Sequence, residues 1–193
     1  KNNIPKDIPI PKISPKKVLE KKREDLTNQP SLIFKSWDSL NSPSLPAIYA
    51  EPYEGGTRVW IHTPTVAERI NLGGKIDDYL KERGAAVCLG HDWIDFLSKS
   101  LKERSGFKLN EVYEAISIMF DIDNNGNILD WKFSLSKIKP VNTITAKQLE
   151  TINKRKRAAK SIPLSIKPIK DSLEIIYTII HVSKIINDKN INE

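Results

Sequence analysis

Alternation between apolar and polar positions picks out two hairpins. In TRVWIHT, Val59 and Ile61 fall on one face of an extended chain, and Trp60 and His62 on the other. The run from Ala47 to Glu51 has the same strand character, and PYEGG between the two supplies turn residues. Residues 48–63 are therefore predicted to fold back on themselves, turning at Glu54–Gly56. The second hairpin is EAISIMFDIDNNGNILDWKFSLSKI, in which Ile116, Ile118, Phe120 and Ile122 alternate with other positions. Leu129, Trp131, Phe133 and Leu135 repeat the alternation on the return. Asn125-Gly126 predicts a type I′ turn, whose two central residues both need positive φ. The two hairpins are expected to share one sheet.

Helical spacing fills the intervals. Ser14-Pro15 predicts a helix start running through KKVLEKKREDL. GGKIDDYLKERG puts Ile76, Tyr79, Leu80 and Arg83 on one stripe closed by Gly84. A further helix is read through DWIDFLSKSLKER. Thr145 with Gln148 makes a capping box for AKQLETINKRKR. Pro168 opens a longer helix whose Ile169, Leu173, Ile176 and Ile180 face a core or a partner. Hairpins with helices between and after them define an α+β fold, with an antiparallel or mixed sheet and flanking helices. No internal repeat is present.

Charge narrows the partners. The net charge of +7 is unevenly spread. Residues 1–23 carry eight basic and two acidic side chains, and residues 139–171 carry nine and two. Residues 24–138 carry twelve basic and seventeen acidic side chains. An acidic body between basic flanks points to localised contact with a polyanion, with a plain solvated surface as the alternative. The single cysteine, Cys88, cannot close an internal disulfide, which favours a reducing compartment, most simply the cytoplasm. No run approaches the ~20 apolar residues needed to span a bilayer, so no membrane partner is expected. LEIIYTIIHVSKII comes nearest and is interrupted by Glu174, His181 and Lys184. The first residue is Lys1, which suggests an excerpt from a longer polypeptide.

Most candidate chemistry reduces to structure. DIDNNG places Asp121, Asp123, Asn125 and Gly126 as a calcium loop would, but its twelfth position is Lys132 where a bidentate Glu is required. Hairpin-turn chemistry explains the same residues. His62, His91 and His181 have no metal-ligand spacing, and His62 beside Trp60 reads as a packed or surface histidine. GGKIDD lacks the ending of a phosphate loop. The run NKRKRAAK is the strongest binding signal. Lys154, Arg155, Lys156, Arg157 and Lys160, fanned around a helix, suit phosphate attraction without base reading. A solvated helix end is the competing reading.

Taken in order, these pieces resemble the RNB catalytic domain of the ribonuclease II and ribonuclease R family of 3′-to-5′ exoribonucleases. The resemblance runs from about Arg23 to about Ile152. REDL followed by a proline is similar to the family's approach to its first catalytic strand. AIYAEPYEGGTRVWIHTPTVAERI resembles that strand, its turn and the V-H-I-A-D-V strand. GGKIDDYLKERGAAVCLG is similar to the segment G-S-x-L-D…R-G-x-S-V-Y-L-P, and FKLN with AISIMFDIDNNGNILDWKF to C-S-L-N and the hairpin after it.

The resemblance implies a fold, a ligand and a departure. The family holds Mg2+ with a D-x-D-D cluster immediately before the A-x-Y/S-A-E strand. Those places fall here on Pro43, Ser44, Leu45 and Pro46, so all three acids are replaced. An earlier family acid falls on Trp37, and Asp38 matches it only with a one-residue deletion. The acid of A-D-V falls on Thr65, and the tyrosine of V-Y-L-P on Cys88. Phosphodiester cleavage by metal ions needs carboxylates to hold the ions and activate water, and two prolines and a leucine offer no side-chain oxygen. The resemblance therefore implies a single-stranded RNA-binding domain without an intact catalytic residue and with no cofactor. Asp38 is its one remaining candidate ligand. Two alternatives stay open: an active nuclease using Asp38 with Asp77 or Asp78, and a protein-interaction scaffold on a former nuclease fold. The division expected is a basic, proline-containing connector and short helix over residues 1–30. Residues 31–193 would then form the N-terminal half of an RNB-like domain, truncated at its C-terminal end.

Overall fold

The computed structural model describes residues 22–35, 45–90 and 92–192. It divides into two compact units, and the larger holds the two predicted hairpins. β3 (Ala47–Tyr53) and β4 (Gly56–Pro64) pair antiparallel through a two-residue loop. β7 (Tyr113–Ile122) and β8 (Ile128–Ile138) form the second hairpin, and β7 pairs antiparallel with β4. Three shorter strands complete the sheet: β1 (Glu24–Asp25), β2 (Leu32–Lys35) and β9 (Asn142–Thr145). The order is β1-β8-β7-β4-β3-β2-β9, with β1 parallel to β8 and β2 parallel to β9. The sheet is thus mixed and the fold α+β.

A type I′ turn forms in the first hairpin, not at the predicted Asn125-Gly126. Glu54 and Gly55 both have positive φ (37° and 82°), as a type I′ loop requires. In the second hairpin only Gly126 does, at 81°. There Gly126 N–H donates to Asp123 O and Asp123 N–H to Asn127 O, a three-residue loop ending in a left-handed glycine. The cause is Asp123, whose Oδ1 accepts from the backbone N–H of Asn125 and of Asn127, each at 2.8 Å. That side-chain turn holds Asn125 on the ordinary side of φ and shows how turn chemistry occupies a residue of the calcium-like motif.

Two layers of apolar side chains use the two faces of the sheet. On one face α3 (Ala146–Lys154), a 3-10 segment (Leu164–Ser172) and α4 (Leu173–Asn192) bury Leu32, Ile144, Ile152, Ile166, Ile169, Leu173 and Ile176 together. Val182 of α4 extends this layer over Ala50, Val59 and Ile122. The opposite face buries Leu26, Ala47, Trp60, Ala115, Met119 and Ile138. The Thr145–Gln148 capping box forms as predicted. Pro168 lies inside the 3-10 segment, and the α-helix begins at Leu173.

Three helix predictions are corrected. Residues 24–25, predicted helical, form β1, because Leu26 is buried and its N–H continues the ladder to Lys137 O at 2.9 Å. Residues 16–21 of that predicted helix lie outside the described residues. The helix through AKQLETINKRKR stops at Lys154, since Arg155 turns extended (φ −86°, ψ 135°).

The third correction is in the smaller unit, described over Thr65–Gly106 apart from His91. It contains a short 3-10 turn (Ala67–Arg69) and α1 (Lys75–Arg83), closed at Gly84 with φ 74°. β5 (Val87–Leu89) pairs with β6 (Asp92–Ile94), and α2 covers Lys99–Ser105. The start of the predicted DWIDFLSKSLKER helix is therefore a strand. The helix begins only after Ser98, whose Oγ accepts the N–H of Leu101.

Candidate nucleic-acid interface

The basic run lies in a turn, not on a helix. Beyond the end of α3 the chain reverses through residues 155–161 before the 3-10 segment. Arg155 organises that reversal from inside. Its Nε donates to Ser161 O at 3.3 Å, Nη1 to Tyr177 Oη at 2.8 Å, and Nη2 to Ala159 O. A guanidinium is suited to this role because its donors are fixed in a plane and its charge is permanent. Arg155 is accordingly half-buried, while Lys154, Lys156, Arg157 and Lys160 are exposed.

These four cations differ in what holds them. Lys154 Nζ donates to Glu150 Oε1 at 2.5 Å, one helical turn back. Arg157 donates through Nε (3.1 Å) and Nη2 to Glu174 Oε2 and lies 5.7 Å over the Tyr177 ring. The hydrogen bonds to Glu174 raise the Arg157 pKa, and the bond from Lys154 lowers that of Glu150. Among the described residues Lys156 and Lys160 have no side-chain partner, so both ammonium groups stand free for an anion. Tyr177 and Glu174 are the shaping residues that sequence reading missed. Tyr177 lies 22 residues beyond Arg155 and Glu174 lies 17 beyond Arg157, and nothing in that spacing marks them.

At the other candidate site only part is described. Leu45 and Pro46 lead directly into β3 and are half-buried. Trp37, Asp38, Pro43 and Ser44 lie outside the described residues. The donor set offered by Leu45 and Pro46 is backbone carbonyl alone, which does not fit an ion that takes carboxylate oxygens in octahedral geometry. Nearby on β3, Glu51 accepts from Tyr49 Oη at 3.1 Å. Asp77, in the smaller unit, accepts from Gly73 N–H and Lys81 Nζ, both at 2.7 Å, and these bonds lower its pKa. Among the described residues no group of three or more His, Cys, Asp or Glu side chains is placed to hold a metal ion. No helix there is long and apolar enough to cross a membrane.

His62 is a packed histidine. It is fully buried in β4, stacked 6.2 Å from Trp60, with Nδ1 hydrogen-bonded to Ser117 Oγ at 2.7 Å. Ser117 Oγ in turn meets Ser136 Oγ at 2.5 Å. The His62 Nε2 has no partner among the described residues, and burial pushes the pKa down to about 4.

A mixed sheet of two hairpins with helices layered on one face defines an α+β domain. The match of the RNB domain family model to residues 23–193 then places the chain: it belongs to the RNB domain family. Solved structures agree in fold. RNase R of Mycoplasma genitalium, in complex with ribose-methylated single-stranded RNA, superposes with a TM-score of 0.71 at 19% identity over 86% of this chain. Yeast Ssd1, described as a pseudonuclease, gives 0.63 at 19% identity over 84% of this chain. An active-site mutant of the Dss1 exoribonuclease from Candida glabrata gives 0.64 at 20% over 83%. The chain spans only 25%, 20% and 22% of those three proteins. No curated protein matches.

Proposed function

We propose that this chain is a single-stranded RNA-binding RNB domain that does not itself hydrolyse RNA. The observation that carries the binding half is the turn after α3, where Arg155 is spent on folding and Lys156 and Lys160 project without partners among the described residues. Phosphate attraction of this kind is indifferent to base sequence. RNA as the ligand class is supported by the RNase R neighbours, solved with single-stranded and with double-stranded RNA. The catalytic half rests on Leu45 and Pro46 at the mouth of β3, positions that by resemblance belong to metal-holding acids, and on the same replacement at Pro43. Asp38 alone would hold an ion weakly, and water activation by metal needs the whole carboxylate set.

Titration of a labelled single-stranded RNA at several salt concentrations tests the binding. Each phosphate neutralised contributes roughly 0.7 to the slope of log affinity against log salt. Lys156→Ala with Lys160→Ala should lower the slope by about 1.4, and an unchanged slope would make the turn ordinary solvated surface. Incubating the same RNA with Mg2+ or Mn2+ should leave it at full length. Metal-dependent shortening from the 3′ end that vanishes in Asp38→Ala would replace this reading with that of an active nuclease.

A further inference from the structure

Among the described residues, most of the outer edge of β8 is unpaired. β1 pairs with it only at Ser136 and Lys137, so among the described residues no strand covers that edge from Ile128 to Ser134. Four apolar residues stand out there: Ile128, Leu129, Trp131 and Phe133 are 58%, 67%, 57% and 61% exposed. Trp131 and Phe133 pack edge to face, with ring centroids 5.4 Å apart. Between them, on the other face, lie Asp130 and Lys132. A long apolar edge offers unpaired N–H and C=O groups and is a template for another strand.

The charges select which strand fits. If a second copy of β8 pairs antiparallel about a two-fold axis at Trp131, Asp130 faces the second copy's lysine and Lys132 faces its aspartate. Trp131 then faces its own symmetry mate, apolar against apolar. Moving the axis to Lys132 sets like ammonium groups opposite each other, and moving it to Asp130 does the same with carboxylates. A shift by half a step mates apolar residues with charged ones. Opposite charges across strands stabilise and like charges destabilise, so of these registers the one centred on Trp131 is favoured. We infer that this chain forms a two-fold dimer by antiparallel pairing of β8 with β8 of a second copy, centred on Trp131.

Two local features shape that contact. Lys132 already donates to Glu24 Oε1 at 3.1 Å and lies 5.0 Å over the Trp60 ring. With its side chain 46% exposed, the ammonium keeps room for a second carboxylate. The register irregularity opposite Asp121 and Ile122 leaves Leu129 outside the β7 ladder. A bulge there ends the regular edge and keeps the paired stretch short. Because both copies use the same edge, pairing consumes it, and assembly stops at two.

Sedimentation of the 193-residue chain over a concentration series reaching the sub-millimolar range should show monomer converting to dimer and nothing larger. Asp130→Lys leaves the Lys132–Glu24 pair intact and should abolish the dimer. Inverting all three charges, Glu24→Lys with Asp130→Lys and Lys132→Glu, should restore it. A register-specific readout stands beside these: in a Cys88→Ala background, Trp131→Cys should cross-link to its mate under mild oxidation, whereas Phe133→Cys should not. Cross-strand neighbours have Cβ atoms only ~4.5–5.5 Å apart. Thermal melts check that each variant is folded. Any of three results would overturn the inference: a wild-type chain that stays monomeric, growth beyond two copies, or a dimer that survives Asp130→Lys while Trp131→Cys fails to cross-link.

Discussion

Acidification from pH 7 to pH 5 should destabilise the fold mainly through His62. The imidazole is fully buried between Trp60, Ala47 and Ser117, and among the described residues its Nε2 has no partner to share a positive charge. Burial lowers the folded pKa from 6.5 to about 4, so the unfolded chain binds this proton more readily than the native one. Stability is then fully present above about pH 6.5 and lost as the pH falls through 4. Linkage over that interval is worth about 2 kcal/mol at pH 5 and about 3 kcal/mol at pH 4, relative to pH 7. Asp25, Asp77, Asp123 and Glu150 have lowered folded pKa values as well, but their contributions are lost only when the pH falls into the carboxylate range. The interval from pH 7 to pH 5 therefore isolates the histidine. Urea unfolding of the wild type and of His62→Gln, compared as the change between the two pH values, provides the measurement. Equal losses in both proteins would refute the reasoning, because a variant without the imidazole has no such proton to bind.

Other outcomes follow from single contacts. Thr145→Ala removes the hydroxyl half of the α3 capping box and should cost about 1 kcal/mol in chemical denaturation, with Thr145→Ser near neutral. Asp121→Asn breaks a bidentate fork to Arg58, 2.6 and 2.7 Å across β4 and β7, and should cost about 2 kcal/mol because the guanidinium stays largely covered. Arg155→Ala should lower the melting temperature as well as weaken RNA binding, whereas Lys156→Ala should weaken binding alone, since only Arg155 holds the turn together. Glu174→Gln should tighten RNA binding and steepen its salt dependence by roughly 0.7, by freeing Arg157 for one more phosphate.

Local sequence decided the elements whose signals are repeated and short-ranged. Two hairpins, α1 with its glycine stop, and the Thr145 cap were legible because alternation, turn residues and caps act within a few positions. The reading of Leu45 and Pro46 as standing where the resemblance would put acids has a different basis: it needs only residue identities set against a family pattern. What the sequence could not supply was partnership across distance. Residues 24–25 carry a helix signal, yet a ladder to β8, more than a hundred residues on, made them a strand. Asn125 suits positive φ, but the Asp123 carboxylate fixed a different loop.

The basic run shows the division most sharply. Composition alone marked Lys154 to Lys160 as a cationic cluster. Tertiary structure divided the labour within it. Tyr177, brought to the turn by α4, and the carbonyls of residues 159 and 161 claimed Arg155, and Glu174 claimed Arg157. Among the described residues, Lys156 and Lys160 were left to face solvent without a side-chain partner. A charge count is a property of the chain, whereas availability depends on which acceptors folding brings within hydrogen-bond reach, and those acceptors came from elements that local pattern cannot connect.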